Sequence, residues 1–181
     1  MEALFSVQDK VVAITGGAGV LCGHMARALA AAGARVVVLD LQEAAAKKTA
    51  QECGHGAVAC PCDVLDRSSI QAAADVIQTK YGRIDVLING AGGNKKQATA
   101  GADMSFFDIP ADALQWVFNL NILGTIMPCQ VFGRQMAEQK GGVILNLSSM
   151  NAFRPLTRIA AYSAAKAAVS NFTQWLAVHL A

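Results

Sequence analysis

The segment KVVAITGGAGVLCGHMARALAAAGARVVVLD, Lys10 to Asp40, decides the fold. KVVAIT is a short run rich in β-branched residues that stops at glycines, and residues 20 to 32 then carry Ala, Leu and Met at helical spacing. A strand, a tight turn and a helix follow from that order. Gly16, Gly17, Gly19 and Gly23 let backbone approach a phosphate at the start of the helix, where Val20 and Leu21 lie. The free N–H groups and the macrodipole there favour an anion. RVVVLD, Arg35 to Asp40, is the next strand, and it ends in an acid about twenty residues after the turn. A carboxylate at that place accepts hydrogen bonds from the hydroxyls of an adenosine ribose and repels a 2′-phosphate. Neither Leu41 nor Gln42 supplies a compensating cation, so NAD(H) is expected over NADP(H). Asp40 can also cap the helix expected in LQEAAAKKTAQEC, and the two roles are compatible.

Beyond Asp40, strand and helix patterns keep alternating. GAVACPCDVLD predicts a third strand ending at Asp63 and Val64. Asp66 and Ser69 are candidate caps for the helix SSIQAAADVIQTKYG, which Gly82 ends. RIDVLINGAGG predicts a fourth strand running into small residues. Residues 93 to 110 are polar, aperiodic and closed by Pro110, so a long loop is expected there, and such loops are commonly functional. One helix is expected from about Asp112 through WVFNLNILGTIMPCQVFGRQMAEQK. GGVILNLSS predicts a buried fifth strand, and the last helix runs from about Ala160 to the end. Five strands, each followed by helical sequence, with right-handed crossovers, predict an α/β protein. It is a Rossmann-type three-layer α-β-α sandwich whose parallel sheet has order 3-2-1-4-5, one domain over residues 1–181.

Composition agrees. With 181 residues, 54% hydrophobic and 15% charged, the chain suits a parallel sheet covered on both faces. Formal net charge is +2 with Lys and Arg scattered, so no nucleic-acid or membrane surface is expected. MEALFSVQDK has an early Glu and no long apolar core, and no run reaches the roughly 18 apolar residues of a spanning helix. A soluble cytoplasmic protein is the expectation. Five cysteines at irregular positions argue against a disulfide framework. Cys53, His55, Cys60 and Cys62 cluster, but Cys60 and Cys62 alternate along a strand and flank a Pro, which does not match zinc-ligand spacing, so no metal is expected.

The chemistry is expected in NLSSMNAFRPLTRIAAYSAAK, Asn146 to Lys166. Residues four apart on a helix share a face, so Tyr162 and Lys166 can reach one bound molecule. A phenol titrating near its ordinary value of about 10 is a poor acid–base catalyst, and a nearby ammonium favours the phenolate. The strand before it delivers Ser149 to the C-terminal end of the sheet, where open α/β sheets bind ligands.

Ser149, with Tyr162 thirteen residues on and Lys166 four further, resembles the active-site pattern of the short-chain dehydrogenase/reductase family. The resemblance covers essentially the whole chain. It implies reversible hydride transfer between NAD(H) and a secondary alcohol or ketone. In that pattern Tyr162 is the acid–base, Lys166 lowers the Tyr pKa and bonds the nicotinamide ribose, and Ser149 positions the substrate oxygen. Asn121, in NILG, matches the family's Asn-x-x-Gly and supports Lys166 through a water. Asp63 and Val64 resemble the adenine-contacting pair. INGAG resembles the NNAG segment, with Asn89 holding the central strand, Gly90 in place of the second Asn, and Gly90 and Ala91 packing around the cofactor. TGGAGVLCG departs from the glycine pattern by placing Val20 and Cys22 where glycines usually fall, and Gly23 is expected to relieve the crowding. The resemblance further implies a homo-oligomer, dimer or tetramer. It also implies a chain truncated at its C-terminus, lacking a sixth and a seventh strand.

INGAGGN, FNLNILGT and SSMNAFRPLTRIAAYSAAKAA are similar to one branch of that family, the D-mannonate oxidoreductases or fructuronate reductases, which act on sugar acids. The residues point the same way. Arg154 can hold a carboxylate and Asn94 and Asn151 suit polyol hydroxyls, with Lys95 and Lys96 nearby. Two other functions share the fold: a noncatalytic NAD(H)-binding or redox-sensing module, and a sugar epimerase or dehydratase.

Overall fold

The computed structural model describes residues 5–181, so the reading of the first four residues of MEALFSVQDK lies outside it. Five strands, β1 (Val11–Thr15), β2 (Arg35–Asp40), β3 (Val58–Pro61), β4 (Val86–Asn89) and β5 (Val143–Asn146), form one sheet in the order β3-β2-β1-β4-β5. All four pairings are parallel, with Val12 opposite both Val36 and Val86. The helices are α1 (Val20–Ala31), α2 (Glu43–Cys53), α3 (Arg67–Tyr81), α4 (Ala111–Phe118), α5 (Gly124–Glu138) and α6 (Ala160–His179).

The two-residue period of the strands makes two cores. Val11 and Ala13 of β1, Val37 and Leu39 of β2 and Leu87 of β4 face α3, α5 and α6, where Ile70, Ile77 and Phe132 meet them. Val12, Ile14, Val36, Val38 and Ile88 face the other way, onto Ala26 and Ala30 of α1 and Ala46 and Ala50 of α2. Alternate side chains of a strand leave on opposite faces, so a central strand of continuous apolar residues is buried twice. Cys53 packs in the second core and Cys60 and Cys62 in the first, while His55 sits at φ 49° in the α2–β3 turn. The sheet therefore parts Cys53 from Cys60 and Cys62. Among the described residues no helix is long and apolar enough to cross a membrane.

Several expectations are corrected. β3 ends at Pro61 rather than at Asp63 and Val64. The chain turns at Asp63, whose Oδ1 accepts from Leu65 N at 2.8 Å and whose N–H donates to Ser69 Oγ at 2.9 Å. Ser69 is thus spent on the turn, and Asp66 alone caps α3, accepting from Ser68 N at 2.9 Å. Gly82 closes α3 at φ 69° as expected. Within residues 5–181 the fifth strand, expected to be buried, pairs on one side only, with Val143 59% and Leu145 44% exposed. The helix expected from Asp112 is interrupted by a π turn over Asn119–Leu123, between α4 and α5. Thr125 Oγ1 donates to the Asn121 carbonyl at 2.9 Å inside that turn. π turns of this kind recur at functional sites.

Candidate active site

The sheet order reverses around β1 and β4, which opens a crevice beyond their C-terminal ends, where such sheets take ligands. Two loops face each other there, and Thr15 pins them together. Its Oγ1 accepts from the N–H groups of Gly90 and Ala91 at 3.1 and 3.2 Å. Gly16, at φ 62°, lies so close to this segment that a Cβ would stand 2.9 Å from the backbone of Ala91. A Cβ on Gly17 would meet the Ile14 carbonyl and Val38, each at 2.9 Å. These glycines seat the turn onto the sheet.

Gly19 is the N-cap of α1 and supplies no side-chain bond, so the first-turn N–H groups of Val20, Leu21 and Cys22 are left for an anion. The side chains of Val20 and Leu21 stand in solvent. Asp40 binds the same turn: its Oδ2 accepts from Ala18 N and its Oδ1 from Gln42 N, each at 3.0 Å. Each carboxylate oxygen keeps a lone pair for a ribose hydroxyl. Val64, by contrast, is buried against Gly124 of α5, and Leu65 is its exposed neighbour.

Cys22 has a neighbour that the glycine pattern does not predict, Gly90, across the crevice. A Cβ at Gly90 would collide with Cys22 Sγ. Burial pushes the Cys22 thiol up, as does the Asp40 charge, against an opposing effect of Lys166.

Lys166 is 5% exposed, and its Nζ donates to the Leu147 carbonyl at 2.6 Å. It lies 5.7 Å from the centre of the Tyr162 ring, one turn earlier on α6. Burial pulls the Lys166 ammonium below its ordinary range, with the Cys22 charge acting the other way. Tyr162 packs against the group containing Ala98, Ala113, Val117 and Ala161, so the 93–110 loop reaches it through Ala98. Asn121 is fully buried. Its Nδ2 donates to the carbonyls of Gly93 and Val117 at 2.7 and 2.8 Å, and its Oδ1 accepts from Gly93 N at 3.1 Å. A Cβ on Gly92 would lie 2.8 Å from that Oδ1 and 3.4 Å from Lys166 Nζ, so both groups border Gly92. Both amide hydrogens being used, Asn121 holds the Gly92–Gly93 segment and has one Oδ1 lone pair left on the lysine side.

Ser149 lies three residues beyond β5 in extended backbone and caps the turn Met150–Ala152, accepting from Asn151 N at 3.2 Å. Asn151 is buried, and its Oδ1 accepts from Leu156 N at 3.0 Å, so that oxygen shapes the segment between Ser149 and Tyr162. Arg154 is exposed. Asn94 donates to Thr99 Oγ1 at 2.8 Å, and its Oδ1 is buried without a partner. Asn89 ties β4 to β5 through Asn146 Oδ1 at 2.8 Å and leaves its own Oδ1 unpaired. Sequence reasoning missed Thr15 and the Gly92–Gly93 pair. Their only signal was position, directly before the glycine turn and directly after Ala91.

A doubly wound sheet, a glycine turn at an uncapped helix start and an acid closing β2 define a dinucleotide-binding protein. The short chain dehydrogenase family model matches residues 10–181, and the chain belongs to that family. An "uncharacterized oxidoreductase" of Haemophilus influenzae is 44% identical over 99% of this chain and 67% of its own. An "uncharacterized oxidoreductase UxuB" of Bacillus subtilis is 43% identical over 97% and 67%. Among solved structures, a candidate D-mannonate oxidoreductase from Haemophilus influenza with bound NAD superposes with a TM-score of 0.89 at 45% identity, over 98% of this chain and 68% of that one. The chain thus spans about two thirds of the length of these relatives. Membership makes it an NAD(P)-dependent oxidoreductase of the kind that acts on CH–OH groups.

Proposed function

We propose that residues 1–181 form one NAD-binding unit of an oxidoreductase that interconverts a secondary alcohol and a ketone on a sugar acid such as D-mannonate or D-fructuronate. The observation that carries this is Lys166, buried and fixed by the Leu147 carbonyl beside the Tyr162 ring, at the mouth of the crevice that Thr15 and the two glycine loops frame. The residues fit a dinucleotide: the uncapped start of α1 suits a pyrophosphate, and the partly open Asp40 carboxylate suits a ribose diol and disfavours a 2′-phosphate. NAD(H), when bound, supplies the hydride acceptor or donor.

In the oxidation direction Tyr162, as phenolate, removes the hydroxyl proton of the alcohol, and the same phenol returns a proton to the carbonyl oxygen in reduction. Lys166, one helical turn from Tyr162, presents an ammonium to the nicotinamide ribose. Ser149 orients the substrate oxygen, and Asn121 holds the Gly92–Gly93 segment that borders Lys166. Arg154 is the candidate for the substrate carboxylate and the buried Oδ1 of Asn94 for a hydroxyl. The exposed Trp116 of α4 and Trp175 and Val178 of α6 support assembly as a homo-oligomer.

The test is NADH oxidation with fructuronate and with a neutral ketose. Turnover of fructuronate alone, lost by at least about a hundredfold in Tyr162→Phe, is expected. NADH binding without turnover of either, unchanged by Tyr162→Phe, would leave a cofactor-binding module.

A further inference from the structure

Gly90 carries an unusual constraint. Its φ lies outside the left-handed region, which the chain's glycines enter at Gly16, Gly33, Gly54, Gly56 and Gly82. Backbone conformation therefore does not require glycine at position 90; space does. A Cβ there would collide with Cys22 Sγ and stand 3.0 Å from the Thr15 carbonyl and 3.2 Å from Leu147 Cδ1. Cys22 itself is 3% exposed, and it packs among Ala26, Val38 and Ile88, with Leu147 against the same group. The thiol has little room into which to retreat. Packed interiors take up such a collision by off-rotamer side chains and backbone shifts.

The backbone free to move is the segment that starts at Gly90. Its first two N–H groups hang on Thr15 Oγ1, Gly92 borders Asn121 Oδ1 and Lys166 Nζ, and Gly93 is gripped by the Asn121 amide through both its N–H and its carbonyl. A shift imposed at Gly90 is passed within three residues to the surroundings of Lys166. The same segment is one wall of the crevice, so its displacement also alters the opening between it and the glycine turn.

We infer that Cys22 and Gly90 act as one interlocked unit, the thiol occupying the volume a side chain at 90 would need, and that Cys22 is thereby a positioning residue for the cofactor crevice and for Lys166. The inference rests on the oxidoreductase reading for its functional consequence, while the steric interlock stands on the packing. The two departures from the family's pattern, a Cys in the glycine turn and a Gly in the INGAG segment, are then a single exchange of volume across the crevice.

A four-member cycle of wild type, Gly90→Ala, Cys22→Ala and the double variant tests it, since Cys22→Ala removes Sγ and leaves the helix propensity intact. NADH affinity is read by fluorescence titration, the Lys166 surroundings by the pH profile of turnover, and the fold by the thermal midpoint. Gly90→Ala alone is expected to weaken NADH binding about tenfold or more, to move the pH profile and to lower the midpoint. In the Cys22→Ala background the same change should alter NADH affinity less than about twofold and return the pH profile to that background's own. Equal losses in both backgrounds, or failure to fold in both, overturn the interlock. A coupling seen in the midpoint but absent from both NADH affinity and the pH profile overturns the positioning role. If wild type binds no NADH, the oxidoreductase reading fails, and equal or unequal midpoint losses still decide the interlock.

Discussion

Lys166→Met separates what this side chain does for the fold from what it does for chemistry. The ammonium is buried at 5% exposure and makes one strong bond, 2.6 Å to the Leu147 carbonyl. Removing a buried ion recovers an effective penalty of several kcal/mol. Losing the charged hydrogen bond forfeits about 1.5–3 kcal/mol, and the orphaned carbonyl costs about 1–3 kcal/mol more. The opposing effects nearly cancel, so stability near pH 7 should change by no more than about 2 kcal/mol, while turnover falls by about 10² to 10⁴. The pH dependence has a definite sign. Burial lowers the folded Lys166 pKa below its unfolded value. Between those two values the unfolded chain binds more protons, so wild type gains stability as pH rises through the folded pKa, and the gain is complete above the unfolded value of about 10.4. Within that window wild type should gain on Lys166→Met by up to about 1.4 kcal/mol per pH unit. Urea unfolding of both proteins from pH 7 to pH 10, alongside NADH oxidation, reads both effects. A wild-type advantage that stays flat or shrinks over this range would refute the assignment of Lys166 as a buried, destabilised ammonium.

Asp40→Asn should weaken NADH binding about tenfold and narrow the preference over NADPH, because the neutral amide no longer repels a 2′-phosphate. An unchanged NADH-to-NADPH affinity ratio would remove Asp40 from the cofactor site. Arg154→Ala should raise KM for a sugar-acid ketone with little change in kcat and leave any neutral substrate unaffected, the pattern of a lost ground-state contact. Equal effects on both substrates would dissociate Arg154 from the carboxylate. Asp85, 8% exposed, accepts from Val11 N at 2.9 Å and from Arg83, so Asp85→Ala should cost about 2–3 kcal/mol in denaturant unfolding and spare NADH affinity. All five cysteines are buried, and burial pushes Cys62 and Cys129 up to about 12, so none should react with a thiol-specific reagent at pH 8 until the protein is unfolded. Rapid labelling of native protein would contradict the packing of both cores.

Sequence alone carried the alternation of strands and helices and so a parallel sheet, because both periods are local, and the order 3-2-1-4-5 through the dinucleotide-binding pattern of glycine turn and acid, not through the periods. It also determined the Asp at the end of β2 and the shared face of Tyr162 and Lys166, since each needs only a few residues of neighbouring chain. Only the assembled structure placed Thr15 Oγ1 against the Gly90 and Ala91 N–H groups, because β1 and β4 become neighbours only in the sheet. It decided the π turn at Asn121 and the spending of that amide on Gly93, which join segments distant in sequence. It decided, too, that the thiol of Cys22 meets Gly90. That contact is set by where the β1 and β4 loops meet across the crevice, and the distance exists only once the sheet has formed.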